Sequence, residues 1–345
     1  MQSFPVSDRR GGGLDKRADD GLAAAHAALD GTDRGRDAAN PGQIPPAGWK
    51  DVLSRVKRRV VENNLSITAA GVAFYALIAT FPGVLALSGL YRLVFDRGEM
   101  GEHLAFLQEQ LQPEATRLLV ALLQGLATSD RSRMGFGIAG GVLVTLWGSS
   151  LGIRALMRAL NVAYGEEERR SVVERTVLAL LLTLGAISVA FCIGLAVVSL
   201  PVLTHWFDLR STSQRLVYHA RWPAVAAMFW LSLLVLYRYG PSRAQAQWSW
   251  VSWGAMIATA MWLSGSGVLA WYVAATPNFQ QAYGSVGTIV LVLAWFLLSA
   301  FSILLGAEIN AELERQTRRD TTIGREKPSG ARGANAADTL GDSAT

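Results

Sequence analysis

Residues 283–308, YGSVGTIVLVLAWFLLSAFSILLGAE, carry no charge until their last position and contain no proline. As an α-helix they would be roughly 39 Å long, at about 1.5 Å per residue. The hydrocarbon core of a bilayer is only about 30 Å thick, so such a helix crosses it with room to tilt. This stretch therefore predicts a membrane protein.

Five other apolar stretches are also long enough to cross a bilayer. With the last one they predict six spans, at 67–95, 134–150, 176–203, 223–239, 248–273 and 283–307. The second stretch is expected to continue as a helix past the bilayer, as far as Tyr164. The predicted fold class is all-α, a polytopic membrane protein with six transmembrane helices.

The composition agrees with this class, because 51% of the 345 residues are hydrophobic. The net charge of +5 could suggest nucleic acid, but basic residues beside apolar spans are more simply explained by the positive-inside rule. The single cysteine, Cys192, lies in an apolar run and excludes an intrachain disulfide. The expected partner is thus the lipid bilayer rather than nucleic acid, and no pattern defines an oligomeric state.

Basic residues are concentrated before the first span, between the second and third, and after the sixth. Cytoplasmic loops carry such an excess, so both termini are predicted to be cytoplasmic. The basic segment at 49–61 has valines one helical turn apart. It can rest on anionic lipid at the cytoplasmic face, or it can serve only as an orientation signal.

The two ends of the chain differ in composition from the spans. Residues 1–48 and 318–345 are rich in small and charged residues and have no periodic apolar face, so each is predicted to be a disordered cytoplasmic tail. They flank a membrane domain at 49–317. Its longest external link contains an amphipathic segment at 103–127, which either caps the bundle or lies at the outer interface.

A group of polar residues near the cytoplasmic edge forms the first candidate functional site. Arg154, Arg158 and Asn161 share one helical face, because they are four and three residues apart. If this face turns into the bundle, the arginines can hold an anionic headgroup or pair with Glu308 and Glu312, beside Asn310. If it faces water, they only set the orientation.

Two further features are candidates for motion or substrate contact. Pro82 lies inside the first span, where the missing amide donor favours a kink that is either a hinge or static. The link at 274–282 is uncharged and contains Asn278, Gln280 and Gln281, followed by Tyr283. It either dips back into the bundle to line a cavity or forms a short external turn.

Small residues four apart predict close helix contacts, as at Gly148 and Gly152. The strings that match GxGxxG at 135–140 and GxSxG at 148–152 lie in a helical run and lack the strand that their chemistry requires. No spacing predicts a catalytic residue, a metal ligand or a cofactor site. The protein is therefore not expected to be an enzyme.

A set of short motifs occurs in order along the chain: AAGVAFY at 69–75, WGSS at 147–150, LNVAY at 160–164, YGP at 239–241, YGSVG at 283–287 and GAEIN at 306–310. Together they resemble the YihY / virulence factor BrkB family of membrane proteins, once labelled ribonuclease BN. The resemblance covers about residues 50–315. It implies a six-helix protein of the bacterial inner membrane.

Three functions fit these features. The first is a transporter that moves, or helps to move, a lipid-like or amphipathic substrate. The alternative is an envelope protein that organises partners without transport, and a membrane-associated ribonuclease is a remote third. A wet polar cavity inside the bundle would favour transport, whereas a dry core would favour the organising role.

Overall fold

The computed structural model describes residues 34–94, 136–206, 211–276 and 279–343. Within these ranges the regular structure is helical, apart from one isolated bridge between Ala246 and Thr322. After a short 3-10 turn at Pro41–Gln43, the helices are α1 (Pro46–Glu62), α2 (Leu65–Val94), α3 (Phe136–Tyr164), α4 (Val172–Trp206), α5 (Ser211–Tyr239), α6 (Trp248–Ala275), α7 (Phe279–Glu314) and α8 (Asn335–Asp338).

The six long helices, α2 to α7, coincide with the six predicted apolar stretches. Five of them contain a segment that is long and apolar enough to cross a membrane: Leu65–Gly83, Val172–Ile193, Trp222–Tyr239, Trp248–Ala275 and Ile289–Glu314. The all-α class is therefore confirmed for the described residues, with five candidate spans. The assignment of α3 as a sixth span stays a prediction.

Helix α7 holds the bundle together, since it packs against α1, α2, α3 and α6. Its C-terminal half is buried by protein at Leu304, Ala307 and Leu313, whereas Ile289 and Val290 near its other end are more than half exposed. The tightest packing thus lies where α3, α5 and α7 end and α2, α4 and α6 begin. We call this the basal end of the bundle.

The predicted contact at Gly148 and Gly152 is present between α2 and α3. A Cβ at Gly148 would lie 3.0 Å from Cγ of Pro82, and one at Gly152 would lie 3.3 Å from Cα of Ala76. Neither glycine has room for a side chain without movement of α2. Small residues therefore let these two helix backbones approach closely.

A second close contact joins α6 to α7 at Gly254 and Gly306. A Cβ at Gly254 would overlap the carbonyl oxygen of Gly306 and Oδ1 of Asn310. Asn310 accepts a hydrogen bond from the Gly254 backbone N–H at 2.8 Å and donates one to the carbonyl of Val251 at 3.2 Å. Asn310, a predicted functional residue, thus ties α6 to α7.

The substitution Gly254→Ala is expected to destabilise the bundle by about 1–3 kcal/mol, because the added methyl group overpacks this contact. Thermal melting in detergent would show a lower Tm. The matched control is Gly267→Ala in the same helix, because a Cβ there has no atom within 4 Å. Equal melting temperatures for the two variants would contradict the close contact.

Helix α1 does not use its apolar face to rest on lipid. Val52 and Val56 are buried against Ile309 and Leu313 of α7. The basic residue Arg55 is also buried on this face, at 4% exposure. The one-turn spacing of the valines in the basic segment therefore reflects the packing of α1 on the bundle.

Residues 318–343 differ from the predicted disordered tail. Arg332 is buried and donates hydrogen bonds to the carbonyl oxygens of Arg318, Arg319 and Ala337. The segment is also tied to the bundle by main-chain hydrogen bonds from Gln247 N–H to the Thr321 carbonyl and from Gly341 N–H to the Arg315 carbonyl. The prediction was wrong here because the segment is held by backbone groups and buried polar side chains rather than by an apolar face.

Part of the predicted N-terminal tail is docked as well, since Ala38 and Ile44 are buried beside α1. Thr317 donates to the carbonyl of Ala38 at 2.8 Å, which links this segment to the end of α7. Residues 1–33 lie outside the described part of the chain. The expectation of disorder therefore fails for residues 34–48.

The link between α6 and α7 is shorter than the predicted 274–282. Helix α6 ends at Ala275 and α7 begins at Phe279, so Gln280, Gln281 and Tyr283 belong to the backbone of α7. Asn278 lies outside the described residues, as does the amphipathic segment at 103–127. The described backbone shows the two helices continuing almost to each other rather than a long dip into the bundle.

Candidate functional site

A cavity of about 390 Å³ lies between α2, α3, α4 and α7. This volume is within the range of about 300–1,000 Å³ that is common for small-molecule sites. Its wall is formed mainly by small and aliphatic side chains: Val72, Ala76, Ala79, Gly83, Gly152, Ile153, Leu156, Ala186, Ile187, Ala190, Phe296, Ala300 and Ile303. The four helices thus border an apolar space that is open to the outside of the bundle.

Four hydroxyl groups also line the cavity, but each is already engaged. Thr80, Ser149, Thr183 and Ser299 donate hydrogen bonds of 2.7–2.8 Å to carbonyl oxygens four residues earlier in their own helices. Hydroxyls bonded in this way offer no free donor to a ligand. The wall is therefore suited to an alkyl chain rather than to an ion. It is not the wet polar cavity that would favour transport, and by that criterion the dry wall favours the organising role, so a transport proposal is restricted to a substrate with an alkyl chain.

Pro82 borders this cavity, next to Gly83 in its wall. Helix α2 continues through Pro82 to Val94, and the proline ring packs against the backbone of Gly148. The ring thus fills the space that a side chain at position 148 would need. Its role as a hinge stays a prediction.

Arg154 follows Ile153 of the cavity wall in sequence but does not line the cavity, and by helical periodicity it lies on a different face of α3 from Ser149, Gly152 and Leu156. Side chains of a helix lean toward its N-terminus, and the Arg154 guanidinium accordingly lies 3.7 Å from the ring centroid of Trp147. Its Nε and Nη2 are buried and have no hydrogen-bond partner among the described residues. The nearby charges that act on it, Arg158 and Arg175, are both positive.

The other two members of the predicted polar face have different environments. Arg158 is exposed. Asn161 is buried, where its Oδ1 accepts a hydrogen bond from the Ser242 N–H at 2.8 Å and its Nδ2 donates to Glu168 at 3.1 Å. Asn161 therefore fixes the loops at the basal end.

The predicted pairing of these arginines with Glu312 is replaced by another network. Glu312 accepts hydrogen bonds from Nε of Arg55 at 2.6 Å and from Nη1 of Arg315 at 2.5 Å. Arg55 also donates to Gln316 at 2.8 Å and to the carbonyl of Asp342 at 2.8 Å. This network, which we call the basal network, joins α1, α7 and the C-terminal segment.

A second buried ion pair closes the opposite side of the basal end. Arg243 donates to both carboxylate oxygens of Glu314, at 3.0 and 2.5 Å, and lies 4.9 Å from the ring centroid of Tyr164. Burial alone would lower the pKa of Arg243, but the Glu314 carboxylate outweighs it and the pKa is raised. The guanidinium therefore stays charged while it holds the loop after α5 against α7.

Glu308 is fully buried one turn before Glu312. Its Oε1 accepts a hydrogen bond from Nδ2 of Asn63 at 2.5 Å. Its Oε2 has no hydrogen-bond partner among the described residues. The predicted pairing of Glu308 with Arg154 or Arg158 is not formed.

Several residues of this region were not identified from the sequence as site residues. In the sequence, Arg55 and Arg315 belong to the basic flanks that indicate orientation, and Arg243 belongs to no predicted group. The available signal was weak: Arg243 follows directly after the YGP motif at 239–241, and Glu312 and Glu314 alternate with apolar residues in α7. No group of three or more His, Cys, Asp or Glu residues within the described ranges is placed to hold a metal ion.

The fold and this site define an α-helical membrane protein with an apolar cavity and a polar basal end. The family model for the virulence factor BrkB matches residues 56–331, which is more than half of the chain, and the chain belongs to this family. The resemblance inferred from the ordered motifs is therefore confirmed.

Curated relatives agree with the family assignment. The "Putative ribonuclease-like protein YfkH" of Bacillus subtilis is 29% identical over 72% of this chain and 90% of its own length. The UPF0761 membrane protein MS0032 of Mannheimia succiniciproducens is 24% identical over 74% of this chain and 86% of its own length. No solved structure gives a significant match.

Proposed function

We propose that this protein binds an anionic amphiphile in the bundle and helps to move it across or along a bacterial cytoplasmic membrane. The single observation that carries the proposal is Arg154, whose Nε and Nη2 are buried without a hydrogen-bond partner among the described residues, on the same helix that supplies part of the wall of an apolar cavity. The alkyl chain would occupy the cavity, and the anionic headgroup would lie at Arg154.

The energetics favour such a ligand over a neutral one. An arginine with unpaired N–H groups is costly in an apolar environment, and a phosphate or carboxylate can accept two parallel hydrogen bonds from it. Arg158 and Arg175 add positive charge nearby. The cavity offers the alkyl chain an apolar environment similar to that of the bilayer, so the preference for this ligand must come from its headgroup.

The proposed membrane topology has six spans, with α3 as the second. The basal end carries the basic flanks, so it faces the cytoplasm under the positive-inside rule, and both termini lie on that side. The exposed face of α1 carries Lys50, Lys57 and Arg58, which suits contact with anionic headgroups.

Two observations weigh against the other functions. The organising role relied on free tails, but residues 34–48 and 318–343 are docked on the bundle. The name of the Bacillus relative mentions a ribonuclease-like character, which we do not extend to this chain. The described polar side chains of this chain mainly form hydrogen bonds and ion pairs that hold its segments together. We therefore propose a function without a catalytic residue, metal or cofactor.

The proposal predicts that Arg154→Gln and Ala186→Phe each weaken binding of a fluorescent anionic phospholipid about tenfold. Loss of one charge-assisted hydrogen bond is worth about 1.5–3 kcal/mol, and a phenyl group at position 186 fills the cavity. Binding would be measured by titration of the purified protein in nanodiscs, with a zwitterionic lipid of the same chain length for comparison.

The matched control is Leu181→Phe, on the exposed face of α4 and outside the cavity wall. It should bind the anionic lipid as the wild type does. If Ala186→Phe and Leu181→Phe behave alike, the cavity is not the binding site. If Arg154→Gln weakens neither lipid, the arginine does not contact the headgroup; if it weakens both equally, the arginine contacts the phosphate they share and does not select an anionic lipid.

A further inference from the structure

Glu308 lies in an environment that is costly for a carboxylate. It is fully buried at the seam between α7 and the junction of α1 and α2. Only one oxygen has a partner among the described residues, and that partner is the neutral amide of Asn63. Removal of a carboxylate from water without a cation in contact favours its protonated form.

The charged and titratable groups around Glu308 do not change this conclusion. Arg59 of α1 acts on Glu308, but its Nε lies 3.6 Å from the Glu312 carboxylate, with which it forms an ion pair. From α7 itself, Glu312 repels a charge on Glu308, and Arg315 is bonded to Glu312. Tyr164 faces it from the end of α3, and residues 65–74 of α2 contain no titratable group.

Asn63 connects this carboxyl to a bend in the chain. It ends α1, and the next residue, Asn64, has a φ of 46°, in the left-handed region that few residues other than glycine adopt. Asparagine adopts this conformation more readily than most residues, and the conformation is common just beyond a helix end, so it forms the bend between α1 and α2. The side chain of Asn63 attaches this bend, which we call the elbow (residues 61–66), to α7 through Glu308.

From this geometry we infer that Glu308 is a proton-binding site, and that its protonation state sets how firmly the elbow is held on α7. With the proton bound, the neutral carboxyl keeps the Asn63 hydrogen bond and remains buried. When the proton leaves, the carboxylate accepts the Asn63 hydrogen bond more strongly, but its unpartnered second oxygen requires a cation or water, and the elbow must move to admit one. Two cations act on this carboxyl: Arg315, which is bonded to Glu312, and the more exposed Arg59.

The seam also reaches the cavity, because Val72 of α2 and Ile303 of α7 both belong to its wall. Opening of the elbow would thus loosen the two helices that border the ligand space. The inference itself does not rest on the proposed function, since proton binding is measured without any lipid ligand.

Infrared difference spectroscopy on the purified protein in nanodiscs tests the inference. We expect the wild-type minus Glu308→Gln difference spectrum to contain one protonated-carboxyl band, and we expect this band to persist at higher pH than the band removed by Glu62→Gln. Glu62 is the matched control because it lies next to the elbow and is 48% exposed. Asn63→Ala should keep the Glu308 band but change the pH at which it disappears.

Hydrogen–deuterium exchange of residues 61–66 provides the second measurement. In the wild type, exchange at the elbow should increase as the pH rises, beyond the intrinsic pH effect measured for an unstructured peptide of the same sequence. Glu308→Gln is a neutral mimic of the protonated form, so its elbow should stay protected at every pH. The inference is overturned if the Glu308 and Glu62 bands disappear together, or if the elbow of Glu308→Gln loosens as the wild type does.

Discussion

Glu312→Ala is expected to lower the free energy of unfolding by about 3–5 kcal/mol, which is the usual cost of removing one partner from a buried ion pair. The carboxylate of Glu312 is 1% exposed and neutralises both Arg55 and Arg315, which are themselves 4% and 6% exposed. Without it, two guanidinium groups remain in the interior without a counter-charge. This substitution should therefore be among the most damaging at the basal end.

Glu312→Ala should destabilise the docking of helix α1 before it affects the other helices. Arg55 is the polar anchor of α1 on α7, while Val52 and Val56 supply its apolar contact. Thermal melting in detergent should show a Tm far below that of the wild type, and amide exchange within α1 should rise before exchange within α6.

Glu62→Ala is the control for this experiment, because Glu62 pairs with Arg58 and Arg59 on the exposed side of the same helix. Exposed pairs contribute about 0–1 kcal/mol, so this variant should melt close to the wild type. A Glu312→Ala protein that is as stable as Glu62→Ala would show that the basal network does not hold α1 on the bundle.

The positions of the six long helices could be predicted from the sequence because the bilayer sets the length of an apolar run. The predicted stretch at 283–307 lies within α7, and the one at 248–273 lies within α6. The ends of these helices could be predicted less accurately. Helix α7 continues to Glu314 because its last two turns are buried by protein rather than by lipid, so polar residues can continue the helix there.

The basal network could not be predicted because its members carry the same signal as orientation charges. A basic residue in a cytoplasmic flank satisfies the positive-inside rule whether it is exposed, like Arg158, or buried and paired, like Arg55. Arg55 and Glu312 are 257 positions apart, and no periodicity within one helix relates them. Only the packing of α1 on α7 reveals the pair.

The candidate site was predicted in part. The sequence identified Arg154 as a candidate cation, and the structure places its guanidinium over the Trp147 ring, on a helix that also supplies part of the cavity wall. The cavity itself depends on small residues from four helices, such as Ala76, Gly152 and Ala186, and these residues also occur wherever helices simply pack closely. Their composition therefore does not distinguish a cavity from a close contact.

Arg243→Met is expected to cost a similar amount, about 3–5 kcal/mol, since it leaves the Glu314 carboxylate buried without its bidentate partner. The side chains of Arg243 and Glu314 are 1% and 0% exposed. Only the hydroxyl of Thr321, at 2.8 Å, would remain to donate to the carboxylate. Thermal melting should show the loss, and limited proteolysis should show earlier cleavage in residues 318–343.

The double variant Arg243→Met/Glu314→Leu distinguishes the contribution of the ion pair from that of side-chain packing at the same positions. Replacement of a whole buried ion pair by apolar groups of similar size is often nearly neutral, because the cost of desolvating both charges disappears with the pair. The double variant should thus recover more than half of the stability lost in Arg243→Met. The remainder, about 1 kcal/mol, corresponds to the lost hydrogen bond of Thr321.

The two possible outcomes assign different roles to the pair. Recovery in the double variant would mean that Arg243 and Glu314 fix the position of the loop after α5 without adding net stability, which is consistent with their place next to Tyr164. If the double variant is as unstable as Arg243→Met, the pair itself stabilises the fold, and the contact between Arg243 and the Tyr164 ring must contribute. A cation over an aromatic ring contributes about 0.5–2 kcal/mol. In that case, Tyr164→Leu in the wild-type background should lower the free energy of unfolding by at least this amount.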